Sequence, residues 1–360
     1  VFVAWRDLRH ARGRFLLIGT VVALITVLVG FLSGLTGGLA AQNISAVLGL
    51  PGDRLVLEKP ADGAASFSES SLSPSTVEHW RDATGVDTVL PVGIAQTRAQ
   101  SGSSSTGVAL FGLPDAGAST DTDLTALAPR ADDTVGLSAG AAKELHASAG
   151  DTVTILGGDY RVATVGGDAW YSHTPVVALT PAAWAQADER MGGDGRPTVL
   201  AVTGTPDWDA VAAATSTSAQ PTLLSLTALE AFKSEIGSLG LMVAMLFGIS
   251  ALVVGAFFTV WTMQRSADIA VLKALGATQR SLVLDALGQA LVVLVGGIGL
   301  GMLIVLGLGA LAGGALPFLV APITTLVPAA AMTVLGLAGA AVALRTVTHA
   351  DPLTALGSNR

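Results

Sequence analysis

The side chains best placed to meet a ligand lie at Glu230, Lys233 and Glu235, directly ahead of an apolar run at 236–263. Ionisable groups at the edge of a membrane-length run are binding candidates, because holding charge near lipid costs free energy. With Phe31 and Met242, each within its own apolar run, they form the set expected to line the entry of an amphipathic substrate. Each also has a structural reading. Thr227-Ala-Leu-Glu230 has the spacing of a helix capping box; Lys233 and Glu235 suit a headgroup level; Met242 suits helix packing.

Elsewhere the chemistry is sparse. His79, His146 and His173 are scattered, with no His/Asp/Glu spacing that suggests a metal centre, so no intrinsic metal or cofactor is expected. Tyr171-Ser-His173 beside Trp170 offers ligand-holding side chains, yet also reads as a surface loop next to a strand. No serine sits in a Gly-x-Ser-x-Gly elbow. There is no cysteine nucleophile or disulfide framework. No catalytic residue is assigned, and the chain is expected not to be an enzyme.

The elements that must position these groups follow from composition. Of 360 residues, 13% are charged and 51% hydrophobic, with a mean hydropathy of +0.63. Soluble domains carry about 25% charged residues, so much of this chain is expected in lipid. Apolar runs at 15–41, 236–263, 286–316 and 318–344 are each long enough for a spanning helix, which needs roughly 20 residues. The first follows a basic segment, as a signal peptide would, but a signal core of about 7–15 residues is much shorter; an uncleaved anchor is expected. The opening Val1 implies that an initiator methionine is missing.

Charge sets the orientation. Segments 1–14, 264–285 and 345–360 carry nine Lys/Arg and four acids, whereas 42–235 carries ten bases and twenty-three acids. Positive flanks stay cytoplasmic. The expected arrangement is therefore a cytoplasmic basic helix at 1–14, a first span at 15–41 and an extracellular domain at 42–235. Spans at 236–263, 286–316 and 318–344 follow, with a cytoplasmic loop at 264–285 and a cytoplasmic tail at 345–360. The net charge of −8 argues against a nucleic-acid partner.

The large segment reads as an α+β domain with a mixed sheet. A strand is predicted at 53–58, a helix opening at Ser73-Pro74 and closing near Gly85, and further helices near 138–146, 181–190 and 206–214. Gly157-Gly-Asp159 between two β-rich runs predicts a hairpin. Segments 101–105 and 113–133 read as polar loops.

Residues 263–281 carry the most information. Ser266 suits a helix cap, Asp268 its first turn, Lys273 its second half and Gly276 its end. The resulting helix of about ten residues is too short to span, and Ile269, Leu272 and Leu275 give it an apolar stripe. That pattern predicts a docking element. Asp268-Ile-Ala-Val-Leu-Lys-Ala-Leu-Gly-Ala277, preceded by Arg265, resembles the signature of FtsX/MacB-type (type VII) ABC transporter permeases, with Asp in place of the commoner Glu. Ala4-Trp-Arg-Asp-Leu-Arg9, Leu137–Ile155 and Asp351-Pro-Leu-Thr-Ala-Leu356 resemble three further segments of that family.

The resemblance implies a four-span fold with one large outer domain, a coupling helix at Arg265–Gly276 that docks on an ABC ATPase, and a dimer of permeases with two ATPase copies. The chain holds no G-x-x-x-x-G-K-[ST] phosphate loop, so ATP is expected on the partner subunit. Gly30, Gly34 and Gly38, with Ser33 and Gly37 beside them, form a small-residue stripe of the kind that lets helix backbones touch; a second copy is the preferred partner. Gly297-x-x-x-Gly301 is expected to pack within the chain. The compact form is most similar to the haem-exporter and DevC-like branch, which implies extrusion of haem or another amphipathic molecule from the outer leaflet. On that reading Glu230 is the first ligand candidate, with Met242 and Met245 nearby. Two other roles stay open: a permease handling lipoproteins or peptides, and a signalling subunit that activates a cell-wall hydrolase.

Overall fold

A computed structural model describes residues 12–114, 124–264, 271, 276, 278–312 and 316–348. The chain forms two compact units. One holds the residues up to Gly38 and those from Ser238 onward; the other is Leu39–Gly237.

The membrane unit is built on four helices: α1 (Arg12–Leu48), α6 (Glu230–Gln264), α7 (Gln279–Ala312) and α8 (Pro322–Thr348). All four are long and apolar enough to cross a bilayer. They confirm four spans with a β-rich domain between the first and second. Two are longer than the apolar runs predict. At 1.5 Å per residue, α1 and α6 extend ~50–55 Å, against a hydrocarbon core of ~30 Å. Helix α7 begins at Gln279, so Arg280 and Asp285 are helical.

Side chains from all four helices form one core, including Val22, Val29, Phe258, Leu294, Ile298 and Met332. In lipid no water is available to satisfy a hydroxyl. Thr26, Ser250, Thr262 and Thr333 accordingly donate to the carbonyl four residues back, at 2.6–2.8 Å.

Glycine sets the helix approaches. A Cβ on Gly30 would lie 2.9 Å from Val305, one on Gly34 2.3 Å from the Phe318 ring, one on Gly37 2.5 Å from Thr324, and one on Gly38 2.0 Å from the Pro317 carbonyl. The glycines of the stripe that the sequence assigns by preference to a second copy are therefore packed within the chain, against α7, the α7–α8 connection and the first turn of α8. Gly297 and Gly301 abut Gly19, Val22, Ala23 and Thr26 of α1, as expected, and Gly255 meets Gly339 between α6 and α8.

Among its described residues the other unit contains ten strands: β1 (Arg54–Glu58), β2 (Val86–Ser101), β3 (Ser104–Gly112), β4 (Thr134–Leu137), β5 (Thr152–Ile155), β6 (Gly158–Val165), β7 (Trp170–Tyr171), β8 (Thr174–Leu179), β9 (Val199–Gly204) and β10 (Thr217–Pro221). Four longer helices accompany them, beside a single turn at Thr222–Ser225: α2 (Pro74–Asp82), α3 (Ala139–Leu145), α4 (Pro181–Arg190) and α5 (Trp208–Ala214). Order β10-β1-β9-β2, all antiparallel, with α2 after β1 and α5 after β9, is a split β-α-β arrangement. Trp80 of α2 and Ala212 of α5 pack on Val56, Leu200 and Val202 of its sheet.

Inserted between β2 and β9 is a second sheet, β2-β3-β8-β4-β6-β5, which closes on itself where Ala99 and Gln100 pair with Ile155 and Thr154. The 16-residue β2 serves both sheets, pairing β9 with its first half and β3 with its second. Predicted starts hold: Ser73, Ser138 and Thr180 accept from the third N–H of α2, α3 and α4. The 157–159 hairpin forms between β5 and β6. The predicted polar loop at 113–133 is corrected in part, because Leu113, Leu124 and Leu127 are at most 1% exposed and belong to the core.

Candidate functional site

The structure parts the predicted binding residues. Glu230 is the first residue of α6, exposed, where the positive end of the helix dipole favours a carboxylate. The capping box is not made: the Thr227 hydroxyl donates back to the Leu224 carbonyl at 2.7 Å, and the helix begins only at Glu230. The Glu230 carboxylate is thus left without a hydrogen bond or ion pair among the described residues. Lys233, one turn on, opens onto a cavity of about 400 Å³ in the outer unit.

Glu235 is held. Its Oε2 accepts from Asn43 Nδ2 at 3.0 Å and lies 2.9 Å from His173 Nε2. Asn43 is fully buried near the end of α1. The sequence reading passed it over, although an amide just beyond a spanning run, unable to reach water there, signals a buried polar contact. His173 sits at the tip of the β7–β8 hairpin, where Ser172 and His173 have φ of 45° and 63°. A tight two-residue hairpin turn requires that left-handed geometry at both positions, which Asn-Gly adopts at least cost. Two β-carbon-bearing residues accept the strain here, and the turn is fastened to α1: Ser172 N–H donates to the Asn43 carbonyl and His173 N–H to the Gln42 carbonyl, both at 3.0 Å. The loop next to Trp170 is thereby corrected from a free surface loop to a clamp joining the α1 terminus, a hairpin and the start of α6.

Within the membrane unit, Phe31 packs on Phe318 with ring centroids 5.3 Å apart. Met242 and Met245 are exposed on α6 at 57% and 61%, as side chains facing lipid or a partner would be. Gly276 is exposed, with φ of 93°, in the left-handed region that favours glycine. Arg265, Asp268, Ile269, Leu272, Lys273 and Leu275 lie outside the described residues, as do the N-terminal segment to residue 11 and the tail from 349.

A larger cavity, about 620 Å³, opens between β2, α4 and the loops at 67–71 and 191–196. Two acids on its wall are tied into the protein. Ser71 Oγ donates to Asp194 at 2.6 Å and, with Arg196 beside it, holds that carboxyl below the usual carboxylate range. Asp188 accepts from Gly195 N–H at 3.0 Å. Tyr171, on the cavity's inner side, is pushed above the ordinary phenol range by burial. Among the described residues no group of three His, Cys, Asp or Glu converges as a metal site.

Four membrane-length helices with a β-rich domain between the first two define a multi-pass membrane protein. The comparisons specify it further: residues 240–352 match the family described as FtsX-like permease C-terminal. The chain is 23% identical over 372 residues to the hemin transport system permease protein HrtB of Staphylococcus haemolyticus, covering 99% of each chain. An uncharacterised ABC transporter permease of Mycobacterium tuberculosis is 24% identical over 376 residues, again covering 99% of each. The periplasmic region of MacB from Actinobacillus actinomycetemcomitans is 13% identical, covering 51% of this chain and 94% of that one; its TM-score of 0.36 is too low to bear on the fold.

Proposed function

We propose that this chain is the permease subunit of an efflux pump that extrudes haem, or a closely similar amphipathic molecule, from the outer leaflet, driven by a separate ATPase. The observation that carries the reading is Glu230: a carboxylate released from capping, exposed on the first turn of a membrane helix, in a chain aligned end to end with permeases named for hemin transport. A carboxylate in that position is free to approach a ligand's metal. Lys233 stands one turn away as a partner for an acidic group of such a substrate.

Drive comes from the cytoplasmic loop. Two ATPase copies close on ATP and push on 265–276, and α6, one continuous helix from Glu230 to Gln264, carries the displacement outward. Both termini and the coupling loop are cytoplasmic, and the domain between the first two helices is extracellular. The permease acts as a homodimer. Because the α1 stripe is filled, the second copy packs on α6, where Gly240, Ala244 and Gly248 follow at four-residue spacing and nothing lies within 4 Å of either glycine's Cβ position.

The deciding experiment is a haem titration of the purified protein in detergent, read by the Soret band, with Glu230→Ala alongside. Saturable binding with a shifted band, lost in the variant, supports the reading. An unshifted band with folded wild-type protein sinks the haem assignment and leaves the permease class standing.

A further inference from the structure

The outer unit carries a second kind of site, set by charge. Residues 42–235 contain twenty-three acids and ten bases, yet the 400 Å³ cavity beside β1 and β10 has no carboxylate on its wall and two lysines, Lys59 and Lys233. Neither ammonium makes a hydrogen bond or ion pair among the described residues. The floor is apolar: Leu55 and Leu57 are at most 2% exposed, and Leu224, 57% exposed, forms part of the lip. The larger cavity has the opposite character, with Glu69, Asp188 and Asp194 facing Arg196 alone. The two lysines share a hollow with hydrocarbon, on segments more than 170 positions apart in the chain.

We propose that this cavity binds an amphipathic anion, with a carboxylate or phosphate between Lys59 and Lys233 and an apolar body on Leu55, Leu57 and Leu224. Two positively charged donors hold the acid group by charge-assisted hydrogen bonds, and the apolar floor excludes a small, fully hydrated anion such as inorganic phosphate. Such a ligand has two sources: the pump's own cargo or the headgroup of an acidic phospholipid. The inference rests on the export reading for the first source only.

The test uses the full chain in phosphatidylcholine nanodiscs, with fluorescent dansylundecanoic acid as probe and its methyl ester as control. The acid binds saturably and the ester does not. The double substitution Lys59→Gln with Lys233→Gln weakens binding about tenfold or more, as expected for losing charged hydrogen bonds, while Lys59→Arg with Lys233→Arg retains it. Both lysines are exposed, so the folded state tolerates either pair. Equal binding of ester and acid, or undiminished binding by the glutamine pair, overturns the proposal. Displacement by iron-free protoporphyrin assigns the site to cargo, and displacement by phosphatidylglycerol added to the nanodisc assigns it to lipid. Displacement by neither overturns it. Because the probe and the porphyrin lack iron, this result is independent of the Soret titration: either reading fails without the other.

Discussion

Asn43 shows how much one amide can organise. It is fully buried, its Nδ2 donates to Glu235, its backbone carbonyl receives the hairpin turn, and its Oδ1 has no partner among the described residues. Replacing it tests whether the clamp matters. Asn43→Ala removes a hydrogen bond to a carboxylate at a partly buried site, which costs about 1–3 kcal/mol and lowers the thermal midpoint of the purified protein. Asn43→Asp is worse at neutral pH, because it sets two carboxylates about 3 Å apart. Thermal midpoints of both variants beside wild type at neutral pH check it, and equal losses for the two would remove Glu235 from the account.

At the scale of elements, glycines distinguish packed helix faces from open ones. Phe318 fits against both Gly34 of α1 and Gly309 of α7, where added Cβ atoms would come within 2.3 and 2.5 Å of its ring. Gly34→Val forces that ring and the α7–α8 connection to move, an overpacking cost of about 1–3 kcal/mol. Gly299→Ala, with open space around the new methyl, shifts stability by no more than about 0.5 kcal/mol. Thermal midpoints of the two variants in one detergent make the comparison. Equal losses would mean that Phe318 yields freely, and the α1–α7 contact would not be the rigid one described.

For the whole molecule, the open questions are the second copy and the drive. The chain has no cysteine, so single introduced cysteines report proximity cleanly. Ala244→Cys should cross-link between copies in native membranes and Ser33→Cys should not; the reverse pattern would restore α1 as the dimer face. Coupling is separable from folding: Gly276→Asp, at an exposed left-handed position, strains the backbone there and adds charge to the proposed docking loop. In the reconstituted complex, export should fall at least ~10-fold with membrane insertion intact. Unchanged export would count against the docking role of 265–276.

The amino-acid sequence alone determined the four spans and the domain between them, because runs of apolar residues longer than the bilayer is thick have few other solutions in water or lipid. It determined the starts of α2, α3 and α4 as well, since a cap bonds within its own first turn and needs nothing distant. Helix ends were less legible. Helices α1 and α6 run past their apolar stretches because Asn43 and Glu235 are held by the β7–β8 hairpin, whose His173 lies 130 residues from one and 62 from the other. The partner of the glycine stripe was illegible for the same reason: spacing says that a backbone approaches there, and only tertiary packing says whose. Glu230's freedom turned on one hydroxyl choosing the carbonyl behind it over the N–H ahead. Lys59 and Lys233 became one site only when β1 and the start of α6 were folded around a common hollow. Local order follows from covalent neighbours; which distant polar groups meet is decided by the packing that removes them from water.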